Sequence, residues 1–291
     1  MADEPAEGES ISLNHAREQT LEADSLSDND SALGDDTQST TTSLSESIYN
    51  YRQEHGRTYH SYKDGQYVFP NDEREQDRLD LQHHMCNLTY RRLHLAPLEK
   101  PRHALDIGTG TGIWAMDFAD QYPECQVIGI DLSPSQPTFV PPNLKYIIDD
   151  AEELWVSVDN TLDGTSLEKW GILMCEAARK LGRPMGTEVS EKYRKWMEAA
   201  GFVNIEEQHF MWPSNAWPKD KYMKELGNWN MINILEGLEG FCLALMTRGL
   251  GWTKEEVDVF VAKVSADVKN RGIHAYYPMP VVWGRKPLTA N

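Results

Sequence analysis

The sequence predicts a Rossmann-like α/β fold: a mostly parallel sheet with helices on both faces, incomplete in its centre, behind a disordered N-terminal tail. Three observations predict it. Short apolar segments alternate with helical ones from His103 onward. A glycine-rich turn follows the first of these strands, and acids stand at the ends of three successive ones. After Glu153 the chain is too short to supply the whole middle of such a sheet. Strands separated by helices or long crossovers pair in parallel, which is why the alternation points to this class.

Residues 1–47 carry twelve Asp or Glu against Arg17, so −11 of the formal −18 falls there and −7 on the rest. With fourteen Ser/Thr and little apolar material, this stretch cannot offset its chain entropy and reads as a disordered acidic tail. Ser39–Ser43 offers hydroxyls for phosphorylation, although a solvating tail is the plainer reading. Residues 48–291 form one domain: an N-terminal cap segment over 48–100, a ligand-binding core over 101–160, and C-terminal helices and last strands over 161–291. Tyr49, Tyr51, Tyr59, Tyr62 and Tyr67 punctuate the cap segment. Asn71 is placed to cap a helix with Asp72, Glu73 and Glu75 in its first turn, and Leu81, Met85 and Leu88 recur on one face.

His103–Ile107 reads as a strand, Thr111–Gln121 as a helix, Gln126–Ile130 and Leu144–Ile148 as further strands. Ser190–Ala200 is a helix closed by Gly201, and Val203–Phe210 a strand. Thr253 and Glu256 form a capping box that starts a helix with Val257, Phe260, Val261, Val264 and Val268 in one stripe. Ala275–Gly284 is the last strand.

Composition excludes some functions. The acidic balance argues against direct binding to nucleic acid, whose phosphates need a basic surface. Ile234–Trp252 is apolar but contains Glu236, Glu239 and Arg248, which argues against a membrane span. Cys86, Cys125, Cys175 and Cys242 lie far apart without metal-ligand spacing and read as reduced thiols of an intracellular protein, cytoplasmic or nuclear. The polar, acidic N-terminus resembles neither a secretory signal nor a mitochondrial presequence.

The chemistry concentrates in Leu105–Trp114, Leu-Asp-Ile-Gly-Thr-Gly-Thr-Gly-Ile-Trp. Glycines here allow a tight turn and let backbone N–H groups approach a ligand. A dinucleotide fold wants GxGxxG, and its last glycine is Ile113 here. The spacing of Asp106, Gly108, Gly110 and Gly112 instead resembles motif I of class I S-adenosyl-L-methionine-dependent methyltransferases. Asp131, at the tip of the second strand, suits both ribose hydroxyls of a nucleoside. The third strand ends in Asp149, Asp150 and Ala151, where a carboxylate suits the adenine amino group. Thr109 and Leu132 complete the candidate cofactor set. No catalytic residue is assigned. His60, His83, His84, His274, Tyr276 and Tyr277 are the polar aromatics to inspect, each more often structural than catalytic. The Trp-rich stretch Trp212–Trp229 is either core or the roof of an acceptor pocket.

Longer motifs narrow the resemblance. Glu54–His60, Tyr67–Asp72 and Arg78–His84 at the front, and Ala199–Phe202, Leu235–Phe241 and Asn270–Tyr277 at the back, resemble the fungal LaeA-like methyltransferases. The resemblance implies a class I methyltransferase sheet, S-adenosyl-L-methionine as cofactor and a role in fungal secondary metabolism. It implies a small-molecule or protein methyl acceptor, and for some members a regulatory role beside velvet-type partner proteins.

The pattern breaks after Glu153. A full class I sheet has a fourth strand beside the first, then a helix and a fifth strand. Here Trp155–Asp159 suits the fifth strand, which leaves one unit of ~30 residues missing. Such a loss either joins strands one and five or opens the sheet. A mis-spliced gene model, a non-catalytic family member and a rearranged working enzyme are the three explanations. An NAD-dependent oxidoreductase is disfavoured by Ile113 and by the lack of a Tyr-x-x-x-Lys pair.

Overall fold

The computed structural model describes residues 51–60, 68–131, 135–137, 139–147, 156–157, 159–182 and 192–287. The tail at 1–47 therefore lies outside the described residues, as do Ile148 and Ser190. A short antiparallel hairpin, β1 (Arg52–Glu54) and β2 (Arg57–Tyr59), leads to α1 (Glu73–Tyr90). The cap of α1 is Asp72, which accepts from the Glu75 amide, and not Asn71 as expected. Asn71 is held by the hairpin instead: its amide donates to the Thr58 carbonyl and its Oδ1 accepts from the Thr58 hydroxyl. Met85 is fully buried, while Leu81 and Leu88 are half-buried; the inward face also takes the ion pair Glu75–Arg78.

β3 (His103–Ile107), α2 (Ile113–Gln121), β4 (Gln126–Ile130) and β5 (Leu144–Ile147) follow. The three strands pair in parallel in the order β3-β4-β5. Ala115, Phe118 and Ala119 of α2 pack with Val127 and Leu144 over one face. On the other face Leu105 is 55% and Ile107 62% exposed.

The chain resumes with β6 (Val156–Ser157), α3 (Ser166–Lys180), α4 (Tyr193–Ala199), β7 (Val203–Pro213), α5 (Lys221–Ala244), a π-helical turn (Leu245–Leu250), α6 (Lys254–Lys269) and β8 (Ala275–Arg285). These strands form a second, antiparallel sheet in the order β6-β8-β7. Among the described residues β3 and β6 are not neighbours, so the joining of strands one and five, one of the two outcomes expected from a missing fourth strand, is not seen. Among the described residues β6 reaches only Ala275 and Tyr276, so Pro278 and Pro280 of β8 meet no strand on that side. That explains Pro278 and Pro280 in the strand. At alternate positions their missing N–H groups fall on one edge, the one turned away from β7.

The largest core lies among α3, α5, the π-helical turn and α6, around Leu167, Leu238, Leu243 and Val264. The capping box at Thr253 and Glu256 forms as expected, and Val257, Val264 and Val268 are fully buried. The apolar stretch from Ile234 is this core. No helix among the described residues is long and apolar enough to cross a membrane. None of the four cysteines is in a disulfide.

Candidate functional site

The glycine loop is built by three left-handed turns of backbone. Gly108, Gly110 and Gly112 have φ of 73°, 56° and 85°, a region that side chains other than glycine resist. The loop also packs closely. A Cβ on Gly110 would stand 3.2 Å from Leu79 Cδ1, on the helix laid across it. The Thr109 amide donates to the Ile130 carbonyl (2.8 Å), and its hydroxyl donates to Asp106 Oδ2 (2.6 Å). The Gly110 amide donates to Asp131 Oδ2 at 2.8 Å. The Gly110 carbonyl accepts from Gln136 Nε2 (2.7 Å) and the Ser135 hydroxyl (3.2 Å). Gly112 then caps α2.

Asp106, Gly108, Thr109, Gly110, Gly112 and Asp131 are thus brought together at the carboxyl ends of β3 and β4. Leu132, Asp149, Asp150 and Ala151 lie outside the described residues. Burial holds the Asp106 carboxyl above its ordinary value, opposed by the Thr109 hydroxyl and the His83 charge. A partly buried carboxylate with one strong donor is a good acceptor for a cationic ligand group. The bare loop backbone, the Asp106 carboxylate and the strand-tip Asp131 fit S-adenosyl-L-methionine, which carries an ammonium, a sulfonium and a ribose. When bound, that cofactor supplies an electrophilic methyl group. Asp106 and the loop would hold its amino-acid end and Asp131 its ribose.

Sequence reasoning missed what lies over the loop. α1 crosses it: Asp80 Oδ1 accepts from the Thr111 hydroxyl at 2.5 Å, and His83 Nε2 lies 2.9 Å from Asp117 Oδ2 on α2. The only available signal was the spacing of Leu79, Asp80 and His83 on one helical face. Of the six polar aromatics, His83 is therefore the one placed at the loop's own helix. His60 is 2% exposed beside the hairpin, His84 packs on Trp229, and Tyr276 pairs with Val156. Tyr277 packs against the cluster of Met85 and Trp212. His274 Nδ1 lies 2.5 Å from Asp159 Oδ2, and Asp159 Oδ1 accepts from the Thr161 hydroxyl. Trp212 and Trp217 are 3% and 1% exposed, their indoles donating to the Thr89 hydroxyl and the Ala275 carbonyl. Both are buried as core side chains.

Comparison with known proteins agrees with this loop. The family described as methyltransferase domain matches residues 104–169. The chain is 36% identical to methyltransferase pytC of Aspergillus terreus over 305 residues, covering 87% of this chain and 93% of that one. It is 32% identical to the secondary metabolism regulator LAE1 of Cochliobolus heterostrophus over 295 residues, covering 82% and 95%. Among solved structures, a phosphoethanolamine N-methyltransferase 2 of Haemonchus contortus in complex with S-adenosyl-L-methionine matches with a TM-score of 0.35 and 14% identity. That match covers 77% of this chain, which spans only 55% of the other.

Proposed function

The chain belongs to the fungal LaeA-like family of S-adenosyl-L-methionine-dependent methyltransferases, and from that premise we propose that its methyl transfer serves fungal secondary metabolism. The acceptor is a small metabolite or a protein. The observation that carries the reading is the loop itself, with three glycines in left-handed backbone between Asp106 and Asp131. Methyl transfer is an in-line displacement at a sulfonium carbon, so the protein's work is to align the acceptor and exclude water. Here the loop and its two carboxylates orient the donor, and α1 roofs the loop through Leu79 and Asp80.

A second reading is favoured by one observation. The parallel sheet ends at β3, so the side of the loop away from β4 has no strand among the described residues. On that reading the chain is a catalytically impaired relative that acts as a regulator through a velvet-type or other protein partner. Its four cysteines, none in a disulfide, suit a reducing compartment, which supports an intracellular, cytoplasmic or nuclear, location for either role.

Calorimetric titration with S-adenosyl-L-methionine tests both. Binding in the micromolar range is expected, and its absence in the folded chain would sink the enzyme reading. Binding without transfer of a labelled methyl group to any fraction of a fungal metabolite or protein extract would favour the regulator.

A further inference from the structure

Two of the longer sequence motifs, Glu54–His60 and Leu235–Phe241, lie outside the glycine loop, and the fold brings them together. His55 and Gly56 turn the β1–β2 hairpin in left-handed backbone, with φ of 52° and 83°. The register sets Glu54 opposite Arg57 and Arg52 opposite Tyr59, so these four side chains share one face. That face lies on α5 and the π-helical turn. Tyr59 is 2% exposed among Leu238, Leu243 and Leu245, and Arg57 is 6% exposed. Gly240 of α5 makes room for the arginine: a Cβ there would stand 2.9 Å from Arg57 Nη1. The π-helical turn, a rare geometry that recurs at functional sites, supplies Arg248, whose guanidinium lies 5.1 Å over the Tyr59 ring.

Each guanidinium is fixed by a carboxylate and has nitrogens to spare. Asp72 accepts from Nε and Nη2 of Arg57, and Glu54 accepts from Nη2 of Arg248. Arg57 Nη1, Arg248 Nε and Nη1 and the Tyr59 hydroxyl are buried, with no hydrogen-bond partner among the described residues. All four can donate at neutral pH, since burial pushes the Tyr59 hydroxyl up to about 12. Buried donors without acceptors are costly and uncommon in folded proteins, so four in one place call for an acceptor. The charges give its sign. Arg52, 3.3 Å from Glu54, joins Arg57 and Arg248 against Glu54 and Asp72, which leaves one positive charge over. Glu239 also acts on Arg57, but Arg74 and Lys254 answer it. Water would satisfy the donors and leave the charge.

We propose that Arg57, Tyr59 and Arg248 form a closed site, between the hairpin and the π-helical turn, for the carboxylate of a small organic acid. Two forked guanidiniums match the two oxygens of a carboxylate, and the Tyr59 hydroxyl supplies a further donor. A phosphate dianion would overcharge a site with one positive charge to spare. The way in is beside Glu54 and Arg248, whose side chains are each 17% exposed. A two-stranded hairpin is marginally stable by itself, so β1 and β2 can lift to admit the acid. The proposal stands apart from the methyl-transfer reading, and its test needs no cofactor.

Thermal melts of the full chain in sodium formate, sodium chloride and sodium phosphate at equal ionic strength test it. Formate is expected to raise the melting temperature saturably, by about 3 °C or more, and the other two salts are not. Tyr59→Phe removes a hydroxyl without a partner, so its melting temperature in chloride should equal or exceed the parent's. Its half-saturating formate concentration should rise about tenfold, the loss of one hydrogen bond to a charged group. Arg248→Lys keeps a charge beside Glu54, loses the two spare donors, and is expected to lose the formate shift. An equal rise in all three salts overturns the proposal, as does a rise with phosphate alone. So does no rise in any salt, which leaves water as the occupant. A formate response in Tyr59→Phe equal to the parent's also overturns it, and that variant decides if Arg248→Lys does not fold.

Discussion

The backbone amide of Gly110 donates to Asp131 Oδ2 across 2.8 Å, tying the glycine loop to the tip of the neighbouring strand. One carboxylate thus shapes the loop and, on the proposed reading, also meets the cofactor's ribose. Asp131→Ala is expected to weaken S-adenosyl-L-methionine binding by about tenfold to a hundredfold, the loss of one or two charge-assisted hydrogen bonds. Asp131→Asn keeps an acceptor for the Gly110 amide and should lose less. Calorimetry on both variants checks this, beside thermal melts without ligand to separate loop damage from lost contact.

Gly110 is constrained twice, by φ of 56° and by Leu79 Cδ1 at 3.2 Å from a Cβ placed there. Gly110→Val meets both, at a backbone cost of about 1–2 kcal/mol before any clash. Cofactor binding is expected to vanish while circular dichroism stays that of the parent, because strain confined to a surface loop does not reach the main core. Gly110→Val paired with Leu79→Ala relieves only the contact. Binding should remain lost if the dihedral decides, and its return would assign the defect to packing.

Asp106 gives the pH dependence. Burial raises its pKa, so the empty protein holds this proton more tightly than the unfolded chain does. Its contribution to stability is therefore greatest below the unfolded pKa of about 3.9 and declines as pH rises through the folded value. A cationic ligand reverses the preference by favouring the carboxylate. Binding is expected to strengthen as pH rises from about 4, with proton release on binding near the folded pKa. Asp106→Asn should remove the release and weaken binding, and it should not lower the melting temperature at neutral pH. Titration in buffers of different ionisation enthalpy measures the released proton directly.

Local chemistry explains which features were legible. β3 and β4 match the expected residues because their apolar runs end in glycine and aspartate. The capping box at Thr253 is likewise a local signal. Asn71 misleads for a tertiary reason: Thr58, thirteen residues earlier, claims its side chain, and Asp72 is free to cap. The contacts of α1 with the loop, Leu79 on Gly110 and Asp80 on Thr111, join segments some thirty residues apart; the helical spacing of Leu79, Asp80 and His83 marks a shared face but not what that face meets. Trp212 and Trp217 look alike in sequence whether they roof a pocket or fill a core; only their bonds to Thr89 and Ala275 decide it.

Arg57 and Asp72 supply the last prediction. Nε and Nη2 of Arg57 donate to the two carboxylate oxygens of Asp72 at 2.5 and 2.7 Å, and both side chains are mostly buried. Burial alone would raise the Asp72 pKa, but the guanidinium and the Glu75 and Thr58 amides hold it below its ordinary value. The stability it contributes is therefore present above about pH 4 and lost as pH falls through the folded value. Arg57→Met leaves a largely buried carboxylate unpaired and is expected to cost about 3 kcal/mol at neutral pH. Asp72→Asn keeps the α1 cap, since asparagine caps nearly as well, and should cost a similar amount by stranding Arg57. The double variant strands neither charge, so it should be more stable than either single one, with a flatter acid limb than the parent. Chemical denaturation of the four proteins at pH 7 and pH 3.5 completes the cycle. Additive losses would show that the two residues act independently.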